Sequence, residues 1–318
     1  MLGAFIVLMP FVPKYGPLII HVGSLIGIMS IVTLGYHIFF GFTGQINFGM
    51  NGFYACGAYA TALLIRHTGL HYFAVIPIAL AITVMVTLVI GLAVLRLREW
   101  VLGLGTCCFG FAALLTVRTI ATGFFGGDDG IDLPALTLGG WAATPLFFYY
   151  FIMGWVVVCT LLTHFLGKSR VGRAFKAIRE DEVAASAMGV NVDHYVRISF
   201  LVCGVFGGLA GILYAQWNQW IAPASVTLEV SILPMVATVV GGVGSTAGAI
   251  LGTVILKILP EVFISLREYR VLMEALVLFL VVRFASQGIV GGLRRLFLWQ
   301  QAFAGRRTAL EPDLNRTR

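Results

Sequence analysis

The chain has 318 residues, of which 59% are hydrophobic and only 11% are charged, and its mean hydropathy is +0.95. A soluble domain carries about 25% charged residues, so this composition excludes an ordinary soluble enzyme and indicates an integral membrane protein. The net charge of +7 does not indicate nucleic-acid binding, because the basic residues lie in short loops and at the C-terminal end, between or after apolar segments.

Ten apolar segments approach the length of about 20 residues that a membrane span needs. In chain order they are 1–13, 17–40, 46–66, 72–95, 100–123, 146–167, 198–217, 229–243, 245–265 and 271–291. We predict an all-α polytopic membrane protein with about ten transmembrane helices. The range is 8–10, because the first and eighth segments are short enough to be re-entrant. Residues 1–292 form one transmembrane domain, followed by a basic cytoplasmic tail at 293–318.

Two glycine-rich stretches interrupt the apolar segments and predict broken helices. Such breaks are tolerated at membrane depth where the backbone is buried in protein or lines a cavity. The alternative is close helix packing through small residues. The candidate residues of a translocation path are Gly44, Gln45, Asn47, Gly49 and Asn51 in the first stretch and Gly244 and Ser245 in the second. We expect Gln45 or Asn47 to face a central cavity.

Several charged residues fall within spans or near their ends. They are Arg118, Glu229, Lys257, Glu261, Glu274 and Arg283. A charge at the centre of a membrane helix costs about 2.5–3.5 kcal/mol on insertion scales, so each needs a partner, a cavity or an interface. The alternative is that long side chains reach the membrane surface from a helix end.

The distribution of charge predicts the orientation. The polar segment 168–197 and the tail are rich in Lys and Arg, whereas 124–145 contains Asp128, Asp129 and Asp132 and no basic residue. Basic segments face the cytoplasm, so the acidic loop is predicted to lie outside and both termini inside. Four predicted spans separate segment 168–197 from the tail, and this even number agrees with the charges.

Segment 168–197 is the longest polar stretch between spans, and its apolar residues recur at helical spacing. Val171, Phe175, Ile178 and Val183 alternate with charged residues, and Gly189 is a plausible helix stop. We predict one short cytoplasmic helix and turn over 170–190. It docks into another protein's groove or rests on lipid headgroups.

No catalytic or metal-binding constellation is visible. Gly167-Lys168-Ser169 lacks the first glycine of a phosphate loop and follows an apolar span. The six histidines show no H-E-x-x-H spacing. The chain is therefore predicted to be neither an enzyme nor an ATP-binding subunit.

Four motifs, in order, resemble the branched-chain amino acid ABC transporter permease family of the LivM type. Within GRAFKAIREDEVAASAMGVNV, the residues from Glu182 to Gly189 are similar to the E-A-A-x-x-x-G pattern of ABC importer permeases. GFTGQINFGMNGFYACGAY (Gly41–Tyr59) resembles the family's G-x-x-G-Q-x-S-x-G signature, with Asn47 in place of Ser. GGDDGI (Gly126–Ile131) and VVGGVGSTAGAILG (Val239–Gly252) resemble its outer loop and second glycine turn. The chain departs from the family at Leu115, where Glu is expected.

The resemblance implies a permease subunit of an ATP-driven importer in the bacterial inner (plasma) membrane, for branched-chain or other hydrophobic amino acids. The alternatives are a permease for urea or short amides, or an ion-coupled secondary transporter. The implied partners are a homologous second permease subunit forming a heterodimer, two cytoplasmic ATPases that bind ATP and Mg²⁺, an external substrate-binding protein and membrane lipid. The implied ATPase-coupling residues are Gly172, Arg173, Arg179, Glu180, Asp181, Glu182, Ala184, Ala185 and Gly189.

Overall fold

The computed structural model describes residues 16–97, 99–120, 125–138, 141–142 and 144–262, together with single positions 272, 276 and 279. The predicted first span at 1–13 and the tail at 293–318 lie outside these residues. The predicted last span at 271–291 also lies outside them, apart from the three single positions.

Helices make up most of the described chain, as expected where lipid offers no hydrogen-bond partner to the backbone. They are α1 (Gly16–Tyr36), α2 (Met50–Thr68), α3 (Tyr72–Val94), α4 (Glu99–Leu115), α5 (Pro145–Lys168), α6 (Arg170–Glu180), α7 (Glu182–Ala187), α8 (Val192–Asn218), α9 (Glu229–Gly241) and α10 (Thr246–Val262). A π-helix continues α1 at His37–Phe42, and another continues α4 at Thr116–Ile120. Each predicted span within the described residues therefore coincides with a helix.

Six helical stretches of the described chain are long and apolar enough to cross a membrane. They are Ile19–Phe42, Tyr72–Val94, Trp100–Thr119, Pro145–Lys168, Val192–Asn218 and Pro223–Gly241. The last joins a short 3₁₀ turn (Pro223–Val226) to α9. Helix α10 is shorter, and α2 has 19 residues but a more polar composition. The total of about ten spans stays a prediction.

The core of the bundle is formed by α1, α2 and α8, whereas α3, α4 and α5 expose apolar side chains. Helices α2 and α8 touch backbone to backbone: a Cβ atom on Gly57 would lie 2.1 Å from the Gly208 carbonyl oxygen. Small residues permit such close approach in membrane proteins, where packing rather than water exclusion drives helix association. The outer helices therefore present a lipid-compatible surface.

The two ends of the bundle differ in charge. Helix α5 joins Pro145, beside the acidic loop, to Lys168, at the start of the basic segment. We call these the acidic end and the basic end.

Within the part of the chain that the structure describes, four two-residue strands add to the predicted all-α fold, and they lie in the segments at the acidic end. Strand β1 (Ile131–Asp132) pairs antiparallel with β4 (Trp220–Ile221), and β2 (Thr137–Leu138) pairs with β3 (Trp141–Ala142). The Gln216 side-chain amide also donates to the Pro134 carbonyl oxygen at 3.0 Å. The loops that follow α4 and α8 are thereby joined into one cap.

Candidate functional site

The polar segment at the basic end forms two helices where the sequence predicted one. Ser169 caps α6 by accepting a hydrogen bond from Gly172 N at 3.1 Å. Asp181 then adopts an extended conformation, and its carboxylate accepts bonds from the Val183 and Ala184 amides at 2.8 and 2.9 Å. An Asp side chain that accepts bonds from free amides caps the start of a helix, so α7 begins as a separate helix at Glu182.

Helix α6 is amphipathic and lies on the bundle by its apolar face. Its buried residues are Gly172, Ala174, Phe175 and Ile178, and its exposed residues are Arg170, Arg173, Lys176, Arg179 and Glu180. The Phe175 ring meets Tyr195 of α8 edge to face, with centroids 6.3 Å apart. The helical spacing in the sequence thus corresponds to a face packed on the chain's own bundle.

Helix α7 exposes much of its surface. Val183 is 80% exposed, and Ala184, Ala187 and Met188 are also exposed, whereas Ala185 is only 5% exposed. The helix ends at Ala187, and Gly189 two residues later has a φ of +86°. Gly189 N and Val190 N donate to the Ser186 and Ala185 carbonyl oxygens. This is the glycine-terminated geometry that closes a helix and turns the chain back towards α8.

Both glycine-rich stretches interrupt helices. After the π-helix, the chain is non-helical from Gly44 to Gly49, and Gly44 has a φ of +77°. Between α9 and α10, Gly242 and Gly244 have φ values of +111° and +98°. These left-handed conformations are disfavoured for residues with a Cβ atom, so glycine is required for these two turns.

Arg179 of α6 connects both breaks. Its guanidinium Nη1 donates to the Gly41 carbonyl oxygen at 2.8 Å, and its aliphatic stem lies over Gly44. The same Nη1 lies 3.4 Å from where a Cβ atom on Gly244 would be. Gln45 adds a further link, because its side-chain amide donates to the Glu182 carboxylate. We call the residues Gly41, Gly44, Gln45, Arg179, Glu182 and Gly244 the glycine junction.

The other residues predicted for the path lie deeper and bond to protein groups. Asn47 is buried; its Oδ1 accepts from Gly49 N at 2.8 Å, and its amide lies 3.6 Å from the Cys203 sulfur. Asn51 is buried too, and its amide donates to the Gly110 and Val226 carbonyls at 3.3 and 3.4 Å. These amides therefore tie the start of α2 to neighbouring elements.

Ser231 completes this buried network. Its hydroxyl accepts from Asn51 N at 2.9 Å and donates to Asn51 Oδ1 at 3.0 Å. Ser245 acts locally, accepting from Gly248 N at 3.1 Å in the first turn of α10. Ser231 was missed at the sequence level, because one serine in an apolar segment is a weak signal.

Three of the charges singled out in the sequence, Arg118, Glu229 and Lys257, form ion pairs. Arg118, in the π-helix that continues α4, pairs with Asp128 of the acidic loop at 2.8 Å. Glu229 at the start of α9 pairs with Lys257 of α10 at 3.4 Å. The sequence indicated that these charges need partners but did not indicate which.

The six long apolar helical stretches of the described chain indicate a multi-pass membrane protein. Its two glycine breaks lie beside the polar helical segment at the basic end. The chain belongs to the branched-chain amino acid permease family. The family model described as "Branched-chain amino acid transport system / permease component" matches residues 18–284. The resemblance seen in the four motifs is thereby confirmed.

Individual relatives agree with this family. The chain is 30% identical to the high-affinity branched-chain amino acid transport system permease protein LivM of Escherichia coli (strain K12) over 308 residues, 88% of this chain and 71% of the relative. It is 24% identical to LivH of the same organism and 24% identical to BraD of Pseudomonas aeruginosa, in each case over 82% of this chain and 91% of the relative. No solved structure matches the chain.

Proposed function

We propose that this chain is a permease subunit of an ATP-driven importer for branched-chain or other hydrophobic amino acids. The family, and the description of its relatives LivM, LivH and BraD as branched-chain amino acid transport permeases, support this substrate class. The observation that carries the mechanism is the glycine junction: Arg179 contacts both helix breaks, and Glu182 holds Gln45. A force applied to α6 and α7 therefore acts directly on both breaks.

The proposed source of this force is a pair of cytoplasmic ATPases that bind ATP and Mg²⁺. The exposed side of α7, formed by Val183, Ala184, Ala187 and Met188, is the proposed docking surface. These small or flexible apolar side chains suit the groove of a partner protein, because burying them releases water without leaving an unpaired charge. Ala185 is not part of this surface, because its side chain is buried against the chain itself.

Closure of the ATPases is proposed to displace α6 and α7, and Arg179 and Glu182 pass the movement to the breaks. Backbone turns at Gly44 and Gly244 absorb conformational change more easily than continuous helix, so the breaks serve as hinges. The bundle then alternates between access from the two sides of the membrane.

The proposed assembly contains a homologous second permease subunit and an external substrate-binding protein besides the two ATPases. This chain is similar both to LivM and to LivH, two permease proteins of one named transport system. The basic end is proposed to face the cytoplasm of a bacterium, with the chain in the inner membrane and both termini inside.

The test is uptake by the complete complex in proteoliposomes. With the binding protein outside and ATP inside, labelled leucine should accumulate, and vanadate, which arrests such ATPases, should stop it. A proton or sodium gradient without ATP should drive no uptake. Gradient-driven uptake in the absence of ATP would instead identify an ion-coupled secondary transporter.

A further inference from the structure

The Glu229–Lys257 ion pair lies away from the glycine junction and has no role in the mechanism above. Glu229 is the first residue of α9, and Lys257 lies in the last third of α10. The Lys257 ammonium is 3.4 Å from a Glu229 carboxylate oxygen, and the two side chains are 15% and 37% exposed. Part of the pair is therefore open at the surface of this subunit.

Helix lengths place the pair at membrane depth. Helix α9 runs from Glu229 to the turn at Gly242, so at 1.5 Å per residue Glu229 is about 18 Å from that turn. Lys257 is about 17 Å along α10 from Thr246 by the same rise. Both estimates place the pair well within a hydrocarbon layer of about 30 Å, because the turn lies beside Arg179 at the basic end.

An exposed ion pair at this depth must face protein or water, because charge against lipid is costly. The neighbouring exposed side chains are aliphatic. Ile232 lies one turn after Glu229, and Ile258 follows Lys257 directly, both of them exposed. Among the described residues, this surface thus offers the Glu229 carboxylate, the Lys257 ammonium and an exposed isoleucine on each of the two helices.

We propose that Glu229, Lys257, Ile232 and Ile258 form a binding site for the transported amino acid, which we call the zwitterion site. The Glu229 carboxylate receives the substrate's ammonium group, the Lys257 ammonium receives its carboxylate, and the two isoleucines contact its aliphatic side chain. This inference rests on the proposed function, because it concerns how that function selects its substrate.

The geometry of the pair favours exchange with a ligand. Charge-assisted bonds between ammonium and carboxylate groups are typically about 2.7–2.9 Å long, so a pair at 3.4 Å is loose. A zwitterion entering it offers each of the two protein charges an opposite charge, so neither is left unmatched. The competing explanation is that the pair only ties α9 to α10.

Equilibrium binding of labelled leucine to the purified permease–ATPase complex, without the external binding protein, separates these explanations. Competitors are leucinamide, which lacks the carboxylate, and 4-methylpentanoate, which lacks the ammonium group. The variants are Lys257→Met and Glu229→Gln, and the matched control is Asp128→Asn, which breaks the other ion pair at the acidic end. Uptake of leucine by the wild-type complex is measured alongside.

If the zwitterion site binds leucine, each of the two variants should lose the preference for leucine over one competitor and keep the preference over the other. Each variant should weaken leucine binding on the order of tenfold, as expected for loss of one charged hydrogen bond. Lys257→Met should remove the preference for leucine over leucinamide and keep the preference over 4-methylpentanoate. Glu229→Gln should do the reverse, and Asp128→Asn should change neither.

Equal weakening of all three ligands, or unchanged preferences with less assembled complex, would show a tie between helices and overturn the site. A wild-type complex that transports leucine but shows no saturable leucine binding would overturn it as well. A wild-type complex that transports no branched-chain amino acid would instead overturn the proposed function.

Discussion

Replacing Arg179 with methionine should loosen the connection between the polar segment and the first helix break. The lost interaction is the bond from the guanidinium to the Gly41 carbonyl oxygen at 2.8 Å. A hydrogen bond from a charged group contributes about 1.5–3 kcal/mol, and the exposure of Arg179 reduces this to about 1 kcal/mol. A change of this size shifts a conformational equilibrium about fivefold.

Methionine keeps an apolar stem over Gly44, so the variant removes the charge and the donor rather than the packing. Arg179→Lys is the matched control, because lysine keeps the charge and one flexible donor but lacks the planar fork. Its effect should be smaller than that of Arg179→Met. Both variants should assemble normally, since no buried group loses its partner except one carbonyl oxygen.

The assay compares leucine uptake with ATP hydrolysis in the same proteoliposomes. In Arg179→Met, the number of leucine molecules moved per ATP should fall about fivefold, while hydrolysis continues. Arg179→Lys should lie between this variant and the wild type. If Arg179→Met moved as much leucine per ATP as the wild type, Arg179 would not transmit movement to the breaks.

Three further predictions concern docking, stability and topology. Val183→Asp should leave the fold intact and weaken ATPase binding in a pull-down. Ala185→Asp should instead lower the amount of folded chain, because a buried carboxylate costs several kcal/mol. Equal effects of the two variants would remove α7 from the docking surface. Asn51→Leu should lower the melting temperature of the detergent-solubilised protein, since losing its bonds to Gly110 and Val226 costs about 3 kcal/mol. An unchanged melting temperature would contradict this network. After removal of native thiols, Asp129→Cys should react with an impermeant maleimide from outside the cell, and labelling only from the cytoplasm would reverse the orientation.

Much of the fold could be predicted from the sequence because membrane helices follow local hydropathy. The segments 72–95 and 146–167 correspond to Tyr72–Val94 and Pro145–Lys168 within a residue or so at each end. The glycines that interrupt the apolar pattern also mark the real breaks. In lipid, each apolar segment must satisfy its own backbone, so helix position depends on neighbouring residues in the chain.

The break at Asp181 shows where local pattern stops being sufficient. The apolar spacing from Val171 to Val183 suits one continuous helix, but Asp181 takes an extended conformation and caps a second one. Whether an Asp continues a helix or caps a new one depends on competition between backbone and side-chain bonds, which the packing of α6 decides. Ala185 is likewise buried by packing that its sequence neighbours do not reveal.

The sequence by itself determined the membrane class, the positions of the apolar helices within the described residues, the glycine breaks and the contrast between basic and acidic segments. Only the tertiary structure decided which residues meet: Arg179 with Gly41, Gln45 with Glu182, and Glu229 with Lys257. The first two pairs are separated by 138 and 137 positions in the chain. Hydropathy and helical period are properties of residues that are near each other in the chain. These contacts depend instead on how closely whole helices approach, and small residues such as Gly57 and Gly208 set that distance.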